Sequence, residues 1–579
     1  MSRNPQIVAR AATAPLLPGD LHPLLKRIYS QRGVTDERQL QTSASLLQPC
    51  EGLSGMSNAT TILAEALERQ QRILVVGDFD ADGATSSALA VRALRAFGAR
   101  HVDYLVPSRF EYGYGLTPEI VAAGAAFAPD LLITVDNGVS SIEGVEAARA
   151  HGMRVIVTDH HLPGQQLPAA DAIVNPNLHD DPFPSKCLAG VGVIFYVMLA
   201  LRRRLRERKW FTRADITEPN MAHYLDLVAL GTVADVVPLD HNNRILVEQG
   251  LRRIRAGRCV TGILALLQTA GRLSERAIAS DLSFAVAPRL NAAGRLQTMQ
   301  IGIECLLTDD DARALELADQ LDALNRQRRA IEGEMHAQAL CVMQNLDGSL
   351  TEHELPYGIC LFDAAWHQGV IGILAGRIKD RFHRPVVAFA DAAKGLLKGS
   401  ARSVAGLHIR DLLEIVATRN PGLITRFGGH AMAAGLTLPA AHLNAFRNAF
   451  DRAVREVMTL EQLEGVLYTD GSLSETDLTP AVARLLRVSG PWGQGFPEPC
   501  FDGVFEVVSH RRVGGRHLKL SLRPQGGVCV IDAMVFNIET FDWREDLAVV
   551  HILYRFEENE YQGLLRPQLT VTHLQAASS

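Results

Sequence analysis

The run Gly77-Asp78-Phe79-Asp80-Ala81-Asp82-Gly83 places three carboxylates at alternate positions between an apolar stretch and a helix-forming one. Carboxylates this close repel one another unless a cation lies among them. An acidic surface turn is the plain alternative. An EF-hand is a poor match, because the loop ending in a bidentate Glu is missing. Asp136 ends a second apolar run, Leu131-Leu132-Ile133-Thr134-Val135, and is followed by Asn137-Gly138; alone it reads as a turn residue. A third run, Val155-Ile156-Val157-Thr158, leads into Asp159-His160-His161. At a strand end, one of two adjacent histidines can ligate a metal while the other meets substrate, and Asp159 can orient an imidazole. Asp235 lies within Gly231-Thr232-Val233-Ala234-Asp235-Val236-Val237-Pro238. A carboxylate in such surroundings needs a partner, and a helix cap or an ion pair is the plain reading.

Together the four segments offer five or six carboxylates and two imidazoles, without a thiol. Oxygen-rich ligands with one or two imidazoles suit Mn²⁺ or Mg²⁺ better than a structural zinc. The ligand number allows two ions ~3.5–4 Å apart with one bridging carboxylate, a pair that activates water and stabilises in-line displacement at phosphorus. The chemistry read from these residues is metal-dependent phosphoester hydrolysis.

Elements able to position such residues are legible around them. Short β-rich runs at 73–76, 102–106, 131–135 and 155–157 alternate with helical patterns at 84–97 and 141–151. Buried strands alternating with helices predict a parallel, doubly wound sheet. In such a sheet ligands bind beyond the carboxyl ends of the strands, where three of the four segments lie. Residues 309–343 lack Pro and carry Ala314, Leu317, Leu321, Leu324, Ile331 and Met335 mostly at helical spacing, which predicts one long amphipathic helix. A second α/β unit is expected over 350–458. Beyond 465, strand runs flanking Gly514-Gly515 predict a hairpin and a small antiparallel barrel. Residues 1–45 show no clear core pattern.

Composition narrows the class. The chain has 579 residues and a net charge of −6, with 47% hydrophobic and 21% charged residues, which excludes a disordered, collagenous or coiled-coil chain and one coated in basic residues. A basic channel on an acidic molecule stays open. Eight cysteines form no C-x-x-C pair and suit a reducing compartment. No apolar leader segment is visible at the N-terminus, and the longest uncharged apolar run, residues 188–201, is shorter than a membrane span and reads as a buried helix. A cytoplasmic protein without membrane contact is expected.

The segments Asp78-Phe79-Asp80-Ala81-Asp82-Gly83, Asp136-Asn137-Gly138, Asp159-His160-His161 and Asp235 resemble the four motifs of the DHH phosphoesterase superfamily. The resemblance runs from about residue 45 to the C-terminus and is closest to the single-stranded-DNA-specific 5′→3′ exonucleases of that superfamily. It includes Pro288-Arg289-Leu290-Asn291-Ala292-Ala293-Gly294-Arg295. It also includes Gly428-Gly429-His430-Ala431-Met432-Ala433-Ala434-Gly435, which resembles the signature of the DHHA1 domain, and Pro491-Trp492-Gly493-Gln494-Gly495-Phe496, which resembles the start of an OB-like domain. The implied architecture is an N-terminal segment (1–45), a DHH catalytic domain (46–308), a connecting helix (309–345), a DHHA1 domain (346–460) and an OB-like barrel (461–579).

The resemblance also implies roles. Asp80 and Asp136 would hold a first ion; Asp82, Asp136, His160 and Asp235 would hold a second, with Asp136 bridging. His161 would contact the scissile phosphate, and Asp78 is either a ligand or an outer base. Val76 stands where some members carry a histidine, which implies a weaker or substrate-dependent first site. For the nucleic acid, Ser400 and Arg402, with Gly429 and His430, are candidates for binding the end of the strand. Arg109 is a second candidate for the 5′-phosphate, with Arg289 and Arg295 behind it. Surface ion pairs are the plain reading of each arginine. A basic cluster, Arg511, Arg512, Arg516, His517, Lys519 and Arg523, suits a strand-tracking hairpin or merely a solvated one, with few aromatics for base stacking.

The expected activity is 5′→3′ hydrolysis of single-stranded DNA to 5′-mononucleotides in recombination and repair. Single-strand preference would come from a channel between the two α/β domains too narrow for a duplex. A monomer is expected, with a single-stranded-DNA-binding protein as a partner. A small-substrate phosphodiesterase and an inactive DNA-binding scaffold are the rival readings. The C-terminal domain argues against the first, and the complete ligand set against the second.

Overall fold

The computed structural model describes residues 6–13, 17, 19–107, 115–347, 356–392, 394–429, 431–459, 461–463, 465–538, 543–545, 547–561 and 564–577. Two compact units emerge: Ala9–Asn325 with Thr469–Ser579, and Met1–Val8 with Arg326–Tyr468. The larger unit is therefore assembled from two separate stretches of chain.

Its first helix, α1 (Pro23–Ser30), begins with Pro in its first turn and a His22 cap, and buries Leu24, Leu25, Ile28 and Tyr29. Residues 1–45 thus do carry a core pattern. It was hidden because one apolar stripe over two turns is too short to stand out from its polar surroundings.

The sheet of this unit comprises β1 (Ile73–Gly77), β2 (Val102–Leu105), β3 (Leu131–Val135), β4 (Arg154–Thr158) and β5 (Ala172–Val174), in the order β2-β1-β3-β4-β5. All neighbours are parallel. β1 and β3 are buried at every position, which is why their Ile, Leu and Val run on without alternation. The order reverses between β1 and β3, so the crevice there is the topological switch point. Register sharpens this. Gly77 pairs with Val135, and Val135 with Thr158, so the three strands end on one row. The next residues, Asp78, Asp136 and Asp159, emerge side by side at a strand spacing of ~4.8 Å.

Four helices close on that edge: α2 (Ala81–Ala96), α3 (Gly190–Glu207), α4 (Leu225–Ala234) and α5 (Ala287–Leu296). Residues 190–198 of α3 are all buried, as the long apolar run predicts. Helix α6 (Asp311–Asp347) continues unbroken through Gly333 for 37 residues, ~55 Å at ~1.5 Å per residue. The division between the units falls within it, at Asn325 and Arg326.

The smaller unit has a mixed sheet of β6 (Ile359–Phe362), β7 (Val386–Asp391), β8 (Leu396–Arg402), β9 (Arg426–Gly429) and β10 (Ala433–Pro439), in the order β9-β10-β8-β7-β6. Helix α7 (Ile371–Phe382) links β6 to its parallel neighbour β7. The C-terminal strands β11 (Phe501–Val513), β12 (His517–Pro524), β13 (Ile531–Val535), β14 (Val549–Tyr561) and β15 (Leu564–Ala576) form a closed barrel, β11-β12-β13-β15-β14. One pair, β13 with β15, is parallel. The barrel belongs to the larger unit, and the segment leading into it is part of that unit's core. Trp492 stacks on Phe496 and on Tyr29 of α1, with ring centroids 5.2 and 5.9 Å apart. Arg244 lies 4.3 Å over Phe496, and Arg32 forks onto the buried Asp470 at 2.8 and 3.1 Å.

Candidate active site

The carboxylates and imidazoles named from the sequence converge at the switch point. Asp80 caps α2, its Oδ1 accepting from the backbone N–H groups of Asp82 and Gly83, both at 3.0 Å. That fixes the turn on which Asp78, Asp80 and Asp82 stand. Asp78, Asp80 and Asp136 offer ligand atoms within 4.8 Å of one another, as do Asp82, His160 and Asp235, and Asp136, His160 and His161. His160 Nε2 stands 3.1 Å from Asp136 Oδ1 and 3.4 Å from Asp235 Oδ2. Asp78 groups directly with Asp80 and Asp136.

The electrostatics ask for positive charge. Burial and the charge on Asp80 push Asp82 up to about 7. Asp136 is raised well above the usual carboxylate range by burial, then by Asp82, Asp80, Asp235 and Asp78; Asp235 is raised by burial, then by Asp82 and Asp80. Each ionisation opposes the next, and a dication among them resolves the conflict. Asp136 Oδ1 is buried and accepts no hydrogen bond among the described residues. The donor set, oxygen-rich with one or two imidazoles and no thiol, fits Mn²⁺ or Mg²⁺. Asp159 and His161 behave differently. Burial works against both charges, yet their 2.7 Å bond holds Asp159 down at about 2 and His161 up at about 9.

Backbone geometry serves the same end. Asp136 has φ +62°, the left-handed region that Asp tolerates better than most residues, and Val236, next to Asp235, has φ +61°. For a β-branched residue that is strain, and strain of this kind concentrates at functional sites. Helices approach the carboxylates closely because glycine faces them. A Cβ on Gly190 would lie 2.5 Å from Asp136 Cβ, and one on Gly231 would lie 2.7 Å from Asp82 Oδ1. Asp82 uses this approach, accepting from Gly190 N at 2.6 Å and Val191 N at 3.0 Å at the start of α3.

Several residues that hold the site have no role in the sequence reading, although Asn137 and Asn291 stand within its motifs. Asn291 accepts from Ala81 N at 2.9 Å, and so ties α5 to the first turn of α2. Asn137 donates to the carbonyls of Val76 and Val135, at 3.1 and 2.9 Å. Asn175 and Asn177, just after β5, donate to the carbonyls of His161 and His160. The available signal was an Asn-Pro-Asn turn after a short apolar run, too small a pattern to assign without the topology.

The nucleic-acid candidates are spread more widely. Ser400 and Arg402 stand two apart on β8, on one face, with Arg402 Nη1 3.1 Å from Ser400 Oγ. The first turn of α7 packs over them: a Cβ on Gly372 would lie 2.7 Å from Arg402 Nη2 and 2.9 Å from Ser400 Oγ. A hydroxyl, a guanidinium and a helix N-terminus make an anion-binding combination. Gly429 ends β9 at φ +144°, paired with Ala434. Arg109 and His430 lie outside the described residues. Arg289 is buried and already engaged, bound to Asp322 at 2.8 Å and to the Ala285 carbonyl at 2.6 Å, so it braces α5 against α6. In the basic hairpin, Lys519 pairs with Asp532 at 2.6 Å and Arg523 with Glu506 at 3.5 Å, whereas Arg511 and Arg516 are exposed. Aromatics do gather there through the fold: the half-exposed Phe536 packs edge-on to His517, and Trp543 to His510.

Comparison with known proteins gives three family matches: the DHH family, N-terminal domain, over residues 72–232; the DHHA1 domain over 355–456; and the RecJ OB domain over 469–573. The single-stranded-DNA-specific exonuclease RecJ of Dickeya dadantii is 53% identical over 98% of this chain and 99% of its own. That of Escherichia coli is 52% identical over 96% of each. The chain belongs to the RecJ family. A crystal structure of the Thermus thermophilus RecJ with Mn²⁺ matches 99% of this chain and 80% of that one, at 31% identity and a TM-score of 0.79; a second was solved with Mg²⁺. RecJ-family chains are thus known with both ions that the donor set here fits. The DHH match ends three residues short of Asp235, whose carboxylate the fold brings to 3.4 Å from His160 Nε2.

Proposed function

We propose that the protein is a divalent-metal-dependent exonuclease that hydrolyses single-stranded DNA from its 5′ end and releases 5′-mononucleotides. The convergence of Asp78, Asp80, Asp82, Asp136, His160 and Asp235 at one switch point carries this reading. Membership of a family whose relatives are named single-stranded-DNA-specific exonucleases gives it the substrate. Asp78, Asp80 and Asp136 are assigned to one ion, and Asp82, Asp136, His160 and Asp235 to the other. When bound, such ions supply an activated water and offset charge at the phosphoryl group. His161 is assigned to the scissile phosphate, its charge supported by Asp159. Ser400 and Arg402, with Gly429, His430 and Arg109, are assigned to the 5′-phosphate end.

The activity belongs to recombination and repair. We place the protein in the cytoplasm as a monomer, with a single-stranded-DNA-binding protein as partner. Among the described residues no helix is long and apolar enough to cross a membrane.

The test uses single-stranded DNA labelled at the 5′ end in one tube and the 3′ end in another, with Mn²⁺ and an EDTA control. Labelled mononucleotide appearing at once from the 5′ tube, with a shrinking ladder from the 3′ tube, is the expected result. The reverse pattern would overturn the polarity. Bound but uncut DNA would favour the scaffold reading.

A further inference from the structure

We infer that Asn177 and Asn175 are separate positioning residues for the two neighbouring histidines, Asn177 serving ion binding through His160 and Asn175 serving the scissile phosphate through His161. The inference rests on the roles proposed above for those histidines.

The geometry is specific to each. Asn177 Nδ2 donates to the His160 carbonyl at 2.6 Å, and Asn175 Nδ2 donates to the His161 carbonyl at 2.9 Å. On their amide side both histidines are held by one atom, Asp159 Oδ1, which accepts from His160 N at 2.7 Å and His161 N at 3.1 Å. Each histidine is therefore pinned at its N–H by Asp159 and at its carbonyl by an asparagine of its own. A ring nitrogen 3.1 Å from Asp136 Oδ1 can hold that place only if its backbone does not rotate.

The asparagines are themselves fixed. Asn175 Oδ1 accepts from Asn177 N at 2.7 Å, Lys186 Nζ donates to the intervening Pro176 carbonyl at 2.7 Å, and Asp159 N donates to the Val174 carbonyl at 3.1 Å. Asn175 is wholly buried, at the end of a three-residue edge strand. Groups that orient ligands in this way typically contribute a factor of ~10–100 in metal affinity or activity.

The measurement is Mn²⁺ affinity of the full chain by calorimetry, without DNA, beside steady-state cleavage of 5′-phosphorylated single-stranded DNA. Asn177→Ala should weaken Mn²⁺ by ~10–100-fold, with cleavage recovering as Mn²⁺ is raised. Asn177→Asp keeps the shape but replaces the donor with an acceptor, and should do the same. Asn175→Asp keeps the acceptor for Asn177 N but removes the donor to the His161 carbonyl; it should leave Mn²⁺ affinity within about twofold of the parent and lower kcat by ~10–100-fold, with no recovery at high Mn²⁺. Lys186→Met loosens the turn from outside the site and should show both effects weakly, which keeps the test open should Asn175→Asp fold poorly. His160→Ala is the control. Parent-like Mn²⁺ affinity in both Asn177 variants, with His160→Ala impaired, would overturn the inference. Parent-like affinity in His160→Ala would instead overturn the ligand assignment beneath it.

Discussion

Burial, and then the neighbouring Asp82, Asp80, Asp235 and Asp78, raise the affinity of Asp136 for protons. The same holds for Asp82, whose carboxyl at about 7 stands well above an ordinary Asp at ~3.9. Between those values the folded, metal-free chain binds more protons than the unfolded one. The contribution of Asp82 to stability then falls as pH rises through that window. Divalent ions bind the deprotonated carboxylates, so their stabilising effect must grow over the same window. The rise in Tm on adding Mn²⁺ is therefore expected to be small at pH 5 and to increase to pH 7, by differential scanning calorimetry; a rise independent of pH would contradict the site. Arg402 makes a second prediction at this scale. A hydrogen bond to a charged group contributes ~1.5–3 kcal/mol, so Arg402→Ala should weaken 5′-phosphorylated strands roughly 10–100-fold while sparing 5′-hydroxyl strands, in paired binding titrations. Equal losses would remove Arg402 from the phosphate.

The helices that meet the strand row do so through glycine, so the quality of the site depends on their approach. Gly190→Ala puts a methyl 2.5 Å from Asp136 Cβ, against backbone and side chain that cannot yield without moving the carboxylate. Overpacking of this kind costs about 1–3 kcal/mol, and cleavage should fall more than Tm, because the atom displaced is the proposed bridging ligand. An unchanged rate in Gly190→Ala would show that α3 can shift freely. Elements of this kind were unevenly legible beforehand. The strands at 73, 131 and 154 announced themselves because burial on both faces demands continuous apolar runs. β8 did not: Gly399-Ser400-Ala401-Arg402 has the composition of a loop, and only its pairing with β7 and β10 makes it a strand. The proposed ligands stood out as candidates by residue type beside apolar runs, and their roles came from the family resemblance. Their meeting at 3.1–3.4 Å was not legible, because distance comes from strand order and register. Asn175 and Asn177 went unassigned, and Asn291 stood in its motif without a role, for the opposite reason: an amide that bonds a distant carbonyl or amide leaves little local pattern.

At the scale of the molecule, residues 9–325 and 469–579 form one unit, and the C-terminal stretch reaches back toward the site. Leu239 N, four residues beyond Asp235, donates to the Gln494 carbonyl at 2.7 Å, and Phe496 packs under Arg244. Removing residues 465–579 should therefore do more than weaken the hold on long DNA. It should loosen the segment that carries Asp235, lowering Mn²⁺ affinity in calorimetry and cleavage of dinucleotides alike. A truncated chain that cleaved dinucleotides at the parental rate would mean that the barrel serves only long substrates.

The same contact sets an order in time. During synthesis Asp235 leaves the ribosome well before Gln494, by an interval on the order of tens of seconds at ~5–20 residues per second. A nascent chain, or one ended early by a premature stop, would carry every proposed ligand and still lack the carbonyl that seats the segment behind one of them. A degradative site would then become competent only once translation had passed Gln494.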